Sequence, residues 1–150
     1  MKNIELVSFN RFLTENFQDK KVPFSLHITK MLRDIAEPVK KYDEDRLAII
    51  QKYATVDENG NLLGKMKEDG TRIENPQLLT DLEIEDLEGM AKELDELGMK
   101  EVEFTIEPLD LSKTYYNTDL KEKSTVEEYI DTNLEPGVIA VMSSFGMIKL

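Results

Sequence analysis

The stretch FSLHITKMLRDIAEPVKKYDEDRLAIIQKY, residues Phe24 to Tyr53, decides the fold class. Its apolar residues Phe24, Ile28, Met31, Leu32, Ile35, Val39, Tyr42, Ile49, Ile50 and Tyr53 recur mostly three or four positions apart. That spacing places them on one stripe of a long amphipathic helix. Arg46 interrupts the stripe, and Leu47 beside it compensates in part. Pro38 lies inside the helix, where it removes a backbone N–H and crowds the preceding turn, so a kink or break is expected there. Pro23 suits the helix start, because the first turn leaves its N–H without a partner in any case.

Toward the N-terminus, Phe9, Phe12, Leu13 and Phe17 predict a short helix with an aromatic face. On the other side, Asp57-Glu58-Asn59-Gly60-Asn61 and Glu68-Asp69-Gly70 are turn chemistry flanking Leu62, Leu63 and Met66. A small β-hairpin insertion follows from that pattern. Thr80-Asp81-Leu82-Glu83 has the form of a capping box. Leu87, Met90, Ala91, Leu94 and Leu97 then mark a second amphipathic helix that stops near Gly98 and pairs with the first as a helical hairpin. Residues 101–107 alternate, with Val102, Phe104 and Ile106 on one face, and predict a strand closed by Pro108. Residues 109–123 are polar and turn-rich, and Ser124 to Glu127 suggests a capping box before a short helix from Val126 to Leu134. Pro136-Gly137 reads as a turn, Val138 to Met142 as a buried strand, and Gly146 as a site for a tight bend. The expected architecture is a single α+β domain over residues 1–150: a long kinked helical hairpin, a small β-hairpin insertion and a few C-terminal strands.

Composition narrows the function classes. The 150 residues contain no cysteine, which excludes disulfides and thiolate metal sites and favours a reducing compartment. No apolar stretch is long enough to span a bilayer, and the N-terminus lacks the pattern of a secretory signal. The formal net charge is -12, and twelve acids between Asp81 and Asp110 face only Lys92 and Lys100. That field disfavours phosphate backbones and anionic lipid, and favours a basic protein partner. A solvated helix face also carries such charge without any partner. The residues assigned to partner binding on this basis are Glu85, Asp86, Glu93, Asp95, Glu96 and Glu103.

Catalytic signals are weak. His27 is the sole histidine, so a zinc site would need carboxylates for its remaining ligands, and a triad has one histidine to use. Asp57 to Glu68 matches a calcium loop at several oxygen positions but has Leu62 where the sharp turn requires glycine. Paired carboxylates are too abundant to single out an acid–base pair. No phosphate loop or dinucleotide fingerprint occurs. No cofactor or metal is expected, and the chain reads as non-enzymatic. The six phenylalanines are needed to fill a core without tryptophan.

Lys21-Val22-Pro23-Phe24 opens a helix that continues through Pro38-Val39-Lys40-Lys41-Tyr42-Asp43-Glu44-Asp45-Arg46 to Lys52-Tyr53. The Asp57–Asn61 and Asp69-Gly70 turns, an acidic helix and the segment Glu101 to Glu107 come after it. This order resembles a family of small uncharacterised proteins encoded by tailed phages and prophages of Gram-positive bacteria. The resemblance covers residues 20–112, with 113–150 as a C-terminal extension. It implies expression in a bacterial host cytoplasm and transfers no catalytic residues. The leading expectation is a phage accessory protein that binds a basic host or phage protein through its acidic surface, as an inhibitor would. The rival is a virion or tail-assembly component that forms a homo-oligomer or docks through its C-terminal strand, and a carboxylate metal enzyme stands third.

Overall fold

The computed structural model of the chain describes residues 1–53 and 84–149, with side chains from Leu87 onward in the second stretch. Among these residues the fold is mostly helical α+β. Its elements are α1 (Asn3–Phe17), α2 (Ser25–Tyr53), α3 (Ile84–Met99), β1 (Thr114–Asn117), β2 (Glu122–Thr125), α4 (Val126–Asn133) and α5 (Pro136–Phe145). The expected hairpin insertion around residues 57–70 and the Thr80–Glu83 capping box lie outside the described residues. Two compact units are present: one of Met1, Glu5–Ala36 and Glu103–Leu150, the other of Lys2–Ile4 and Glu37–Val102.

The first unit is organised by aromatic rings. On α1 the side chains of Leu6, Phe9 and Leu13 are fully buried and Phe17 nearly so, which is the inward stripe of the helix. Phe9 stacks obliquely on Phe145 at 5.0 Å and on Phe104 at 6.3 Å. Phe145 meets Phe12 at 5.9 Å, and Phe12 meets Phe17 edge-on at 5.8 Å. The series continues edge-on through Phe24 at 5.6 Å and Tyr129 to Tyr115, both at 6.1 Å. All six phenylalanines and two tyrosines thus form one chain of rings. Within the same unit α2 contributes Ile28, Met31 and Ile35, and Phe24 just before it, each buried. Pro23 serves a turn rather than the helix itself: Ser25 N–H donates to the Val22 carbonyl at 3.1 Å, with Pro23 at the second turn position it favours.

Five further local expectations change. Residues 138–142 are helical, inside α5. Pro136 stands in the first turn, and Gly146 closes the helix in the left-handed conformation with φ of 81°. Its N–H donates to the Ser143 carbonyl, while Met147 N–H reaches back to Met142 at 2.9 Å, which is a Schellman closure. Val138, Met142 and Phe145 fall on one helical face, and Met142 is fully buried. Residues 101–107 are extended and alternate in exposure as expected, but they form no strand ladder. An isolated antiparallel bridge joins Lys2 and Glu101, and farther on His27 Nε2–H donates to the Glu107 carbonyl at 2.7 Å. Because that carbonyl only accepts, Nε2 carries the proton. The observed hairpin falls instead at residues 114–125, in the stretch expected to be irregular, with Thr114 opposite Thr125 and Asn117 opposite Glu122. Asn117 Oδ1 accepts from the N–H groups of Asp119 and Leu120 and so builds the turn. The cap of α4 also shifts by one residue: Thr125 Oγ1, not Ser124, accepts from Glu128 N–H at 3.2 Å. Finally, α2 runs through Pro38 without a break.

Phe9→Ala should cost about 3–5 kcal/mol of stability, because it removes the ring that contacts both Phe104 and Phe145. Gly146→Ala should cost about 1–2 kcal/mol: space is open around a Cβ there, so the cost is the left-handed backbone alone. Urea unfolding of the two variants checks both magnitudes and their order.

Candidate functional site

Five of the six predicted site residues sit on α3, in the second unit, and Glu103 follows in the first. In the second unit α2 from Glu37 onward packs antiparallel to α3. Ile50 and Met90 are the buried centre of the contact, with Ile49, Tyr53, Leu87 and Leu94 around them. The helices come close at Gly89, where a Cβ would lie 3.4 Å from the Tyr53 ring. Asn3 closes the end of α3. Its side-chain amide donates to the Leu97 carbonyl at 2.9 Å, and its backbone N–H donates to the Lys100 carbonyl at 3.0 Å. Carbonyls in a helix's last turn lack intrahelical partners, and Asn3, only 6% exposed, supplies them.

The six carboxylates separate into four groups. Glu93 is committed inside the protein: Lys52 Nζ donates to both of its oxygens, at 2.9 and 3.2 Å. Lys52 also lies 5.2 Å from the centre of the Tyr53 ring. The Tyr53 hydroxyl first, and the Lys52 ammonium second, hold the Glu93 carboxyl below its usual range. The same carboxylate raises the pKa of Lys52 and of Tyr53. Asp95 and Glu96 are exposed on α3, together with Glu88, and with Lys92 and Lys100 among them. Glu103 is exposed but belongs to the other unit. Glu85 and Asp86 lie in the first turn of α3, and their side chains are outside the described residues.

Beside the exposed acids is a shallow depression of about 530 Å³ lined by Ile49, Glu93, Glu96, Leu97, Met99 and Lys100. Met99 is 53% exposed. The sequence reading missed this apolar patch, although one signal was available: Met99 is four residues after Asp95, an apolar residue on the charged face of the helix. A second concavity of the same unit, about 460 Å³, includes Asn3, Pro38, Tyr42 and Val102. Its rim carries both signs of charge, with Lys41 paired to Asp45 at 3.0 Å. Among the described residues no three histidines or carboxylates converge as a metal site. No described helix is long and apolar enough to cross a membrane.

No protein-family model matches the chain, and searches of curated proteins and of solved structures return no match. The candidate site therefore rests on its own chemistry: an open apolar patch around Met99 with Glu93, Glu96 and Lys100 in its lining.

Because the Glu93 carboxyl is lowered in the folded chain, its contribution to stability is present above the ordinary carboxylate value of 4.5 and is lost as pH falls through the lowered value. Lys52 behaves oppositely: its contribution holds below 10.5 and disappears as pH rises through the raised value. Glu93→Gln should therefore flatten the acid limb of the melting-temperature profile and leave a folded protein at neutral pH. Thermal melts by circular dichroism between about pH 7 and about pH 3 measure this.

Proposed function

We propose that the chain is a non-enzymatic accessory protein that binds a basic protein partner through the carboxylate-rimmed patch around Met99. The observation that supports this reading best is the exposed Met99 among Ile49 and Leu97, with Glu96 at the margin and exposed Asp95 and Glu88 about one and three turns back along the same helix. Protein interfaces combine an apolar centre with a polar, solvated rim. Methionine adapts its shape to different partners, and rim charge steers a partner of opposite sign. The overall charge of -12 acts in the same direction, repelling nucleic acid and attracting a cationic protein surface. On the resemblance to small phage proteins, such a partner would be a protein of a bacterial host or its phage. Inhibition of a nucleic-acid-handling protein is the role this chemistry suits, since the acids would occupy a surface evolved for phosphate. Self-assembly through a strand at 138–142 is not proposed, because those residues are helical.

Glu93 is excluded from the recognition set, because Lys52 already holds it. The double variant Glu88→Lys/Asp95→Lys should retain its melting temperature and weaken capture of basic host proteins on the order of tenfold at low salt. Met99→Ala should weaken capture with little change in salt dependence. Quantitative mass spectrometry of proteins retained on immobilised wild-type and variant chains distinguishes these outcomes. Equal retention of the same basic proteins by wild type and double variant would contradict the reading.

A further inference from the structure

We infer that the first unit carries a second docking surface, a groove that accepts one face of a basic amphipathic helix from a protein partner. The groove encloses about 660 Å³ and is lined by Leu111, Ile130, Ile139 and Ile148, with Thr125 beside them. Its charged lining is Glu127, Glu128 and Asp131 from α4 against the single cation Lys149. All three carboxylates come from α4, which also supplies Ile130, while Ile139 comes from α5 and Ile148 from the residues after it. From Pro136 to Ile148 the chain has no charged side chain, so Lys149 is the first charge after Glu135. Val141 is 37% exposed, and Val138 and Ile139 are half-buried.

The local backbone holds this floor in place. Leu109 N–H donates to the Met147 carbonyl at 2.7 Å, and Glu127 N–H donates to the Leu111 carbonyl at 3.0 Å. Between them, Asp110 Oδ1 accepts from the Ser112 hydroxyl at 2.6 Å and from its N–H at 3.0 Å. The Ser112 hydroxyl, then its N–H, keeps the Asp110 carboxyl below its usual value. Leu111 is thus fixed at the groove by bonds on both sides of it.

Charge selects the occupant. Three carboxylates against one lysine favour a cationic ligand and oppose a second copy of this chain, whose net charge is -12. An amphipathic helix supplies both chemistries at once. Apolar side chains spaced three and four apart match a groove with an aliphatic floor, and lysines or arginines flanking them meet Glu127, Glu128 and Asp131. The inference shares with the Met99 patch the premise that the protein is a binder, but it concerns separate residues in the other unit.

The test uses the full chain and a fluorescein-labelled synthetic helix with leucines at i, i+3, i+4 and i+7 and lysines elsewhere, followed by anisotropy. A matched peptide with glutamates in place of lysines is the charge control. The account expects saturable binding of the lysine peptide, no binding of the glutamate peptide, and a loss on the order of tenfold in Glu128→Lys/Asp131→Lys. Ile139→Ser should weaken binding as well, and its melting temperature reports whether α5 stays folded. The charge variant alters only exposed positions and decides the matter if Ile139→Ser unfolds. Glu88→Lys/Asp95→Lys should leave peptide affinity within about twofold of wild type. Peptide binding that follows Glu88 and Asp95 instead would overturn the groove and spare the Met99 patch. Absence of saturable binding, insensitivity to both groove variants, or a concentration-dependent homodimer lost in Ile139→Ser would each overturn it.

Discussion

The chain of aromatic rings from Phe104 through Phe9, Phe145, Phe12, Phe17 and Phe24 to Tyr129 and Tyr115 is the contact on which the first unit depends. A protein with 33% charged residues, no tryptophan and no cysteine has few ways to make a core. Each ring pair adds about 0.5–1.5 kcal/mol beyond the area it buries. The rings come from α1, the residue just before α2, the extended segment, β1, α4 and α5, so one continuous contact fixes six segments widely separated in sequence. The aliphatic residues that complete the core, such as Leu6, Leu13, Ile35 and Met142, pack around this series and are fully buried.

With the phenylalanines used inside, the surface is left to carboxylates, and their roles divide by geometry. Glu93 holds α2 to α3 through Lys52, and Glu107 meets Lys30 at 3.3 Å while its carbonyl receives His27. Asp110 shapes a turn through Ser112. These acids serve the fold. Glu96 on one unit, and Glu127, Glu128 and Asp131 on the other, are exposed and border apolar depressions, while Glu88 and Asp95 are exposed on the same helix as Glu96. An acidic composition alone does not separate the two groups, whereas position relative to a neighbouring cation or an apolar patch does. Exposed charges contribute little to stability, so the second group adds little to the fold.

Much of this was legible in the sequence. The three-and-four spacing of Phe24 to Tyr53 and of Leu87 to Leu97 gave both long helices, and Val126 to Leu134 gave α4 to within one residue. The alternation at 101–107 was correct for exposure, but a ladder needs a partner strand, and no local pattern reveals whether one exists. Residues 138–142 were misread because Val138, Ile139 and Val141 are β-branched and the run is short, where period alone does not decide. The proline in the first turn and the glycine after the last were the better evidence. The 114–125 hairpin lacked an Asn-Gly turn; it uses an Asn117 side chain and Lys121 at φ 55° instead. In the candidate site, Asp95 and Glu96 were correctly placed at the surface. Glu93 was not separable from them, because its partner Lys52 is 41 residues away in the chain. Neither apolar depression was visible, since each gathers residues from distant stretches.

The most direct test of the account is light scattering coupled to size-exclusion chromatography, on the protein alone and with a host lysate fraction of basic proteins. The runs compare about 0.1 M with about 1 M salt, between which the screening length falls from ~10 Å to ~3 Å. The account predicts a 17.3 kDa monomer at both salt concentrations when alone, and a larger species with basic proteins that dissociates at the higher one. A homo-oligomer that forms without any partner and persists at high salt would contradict it.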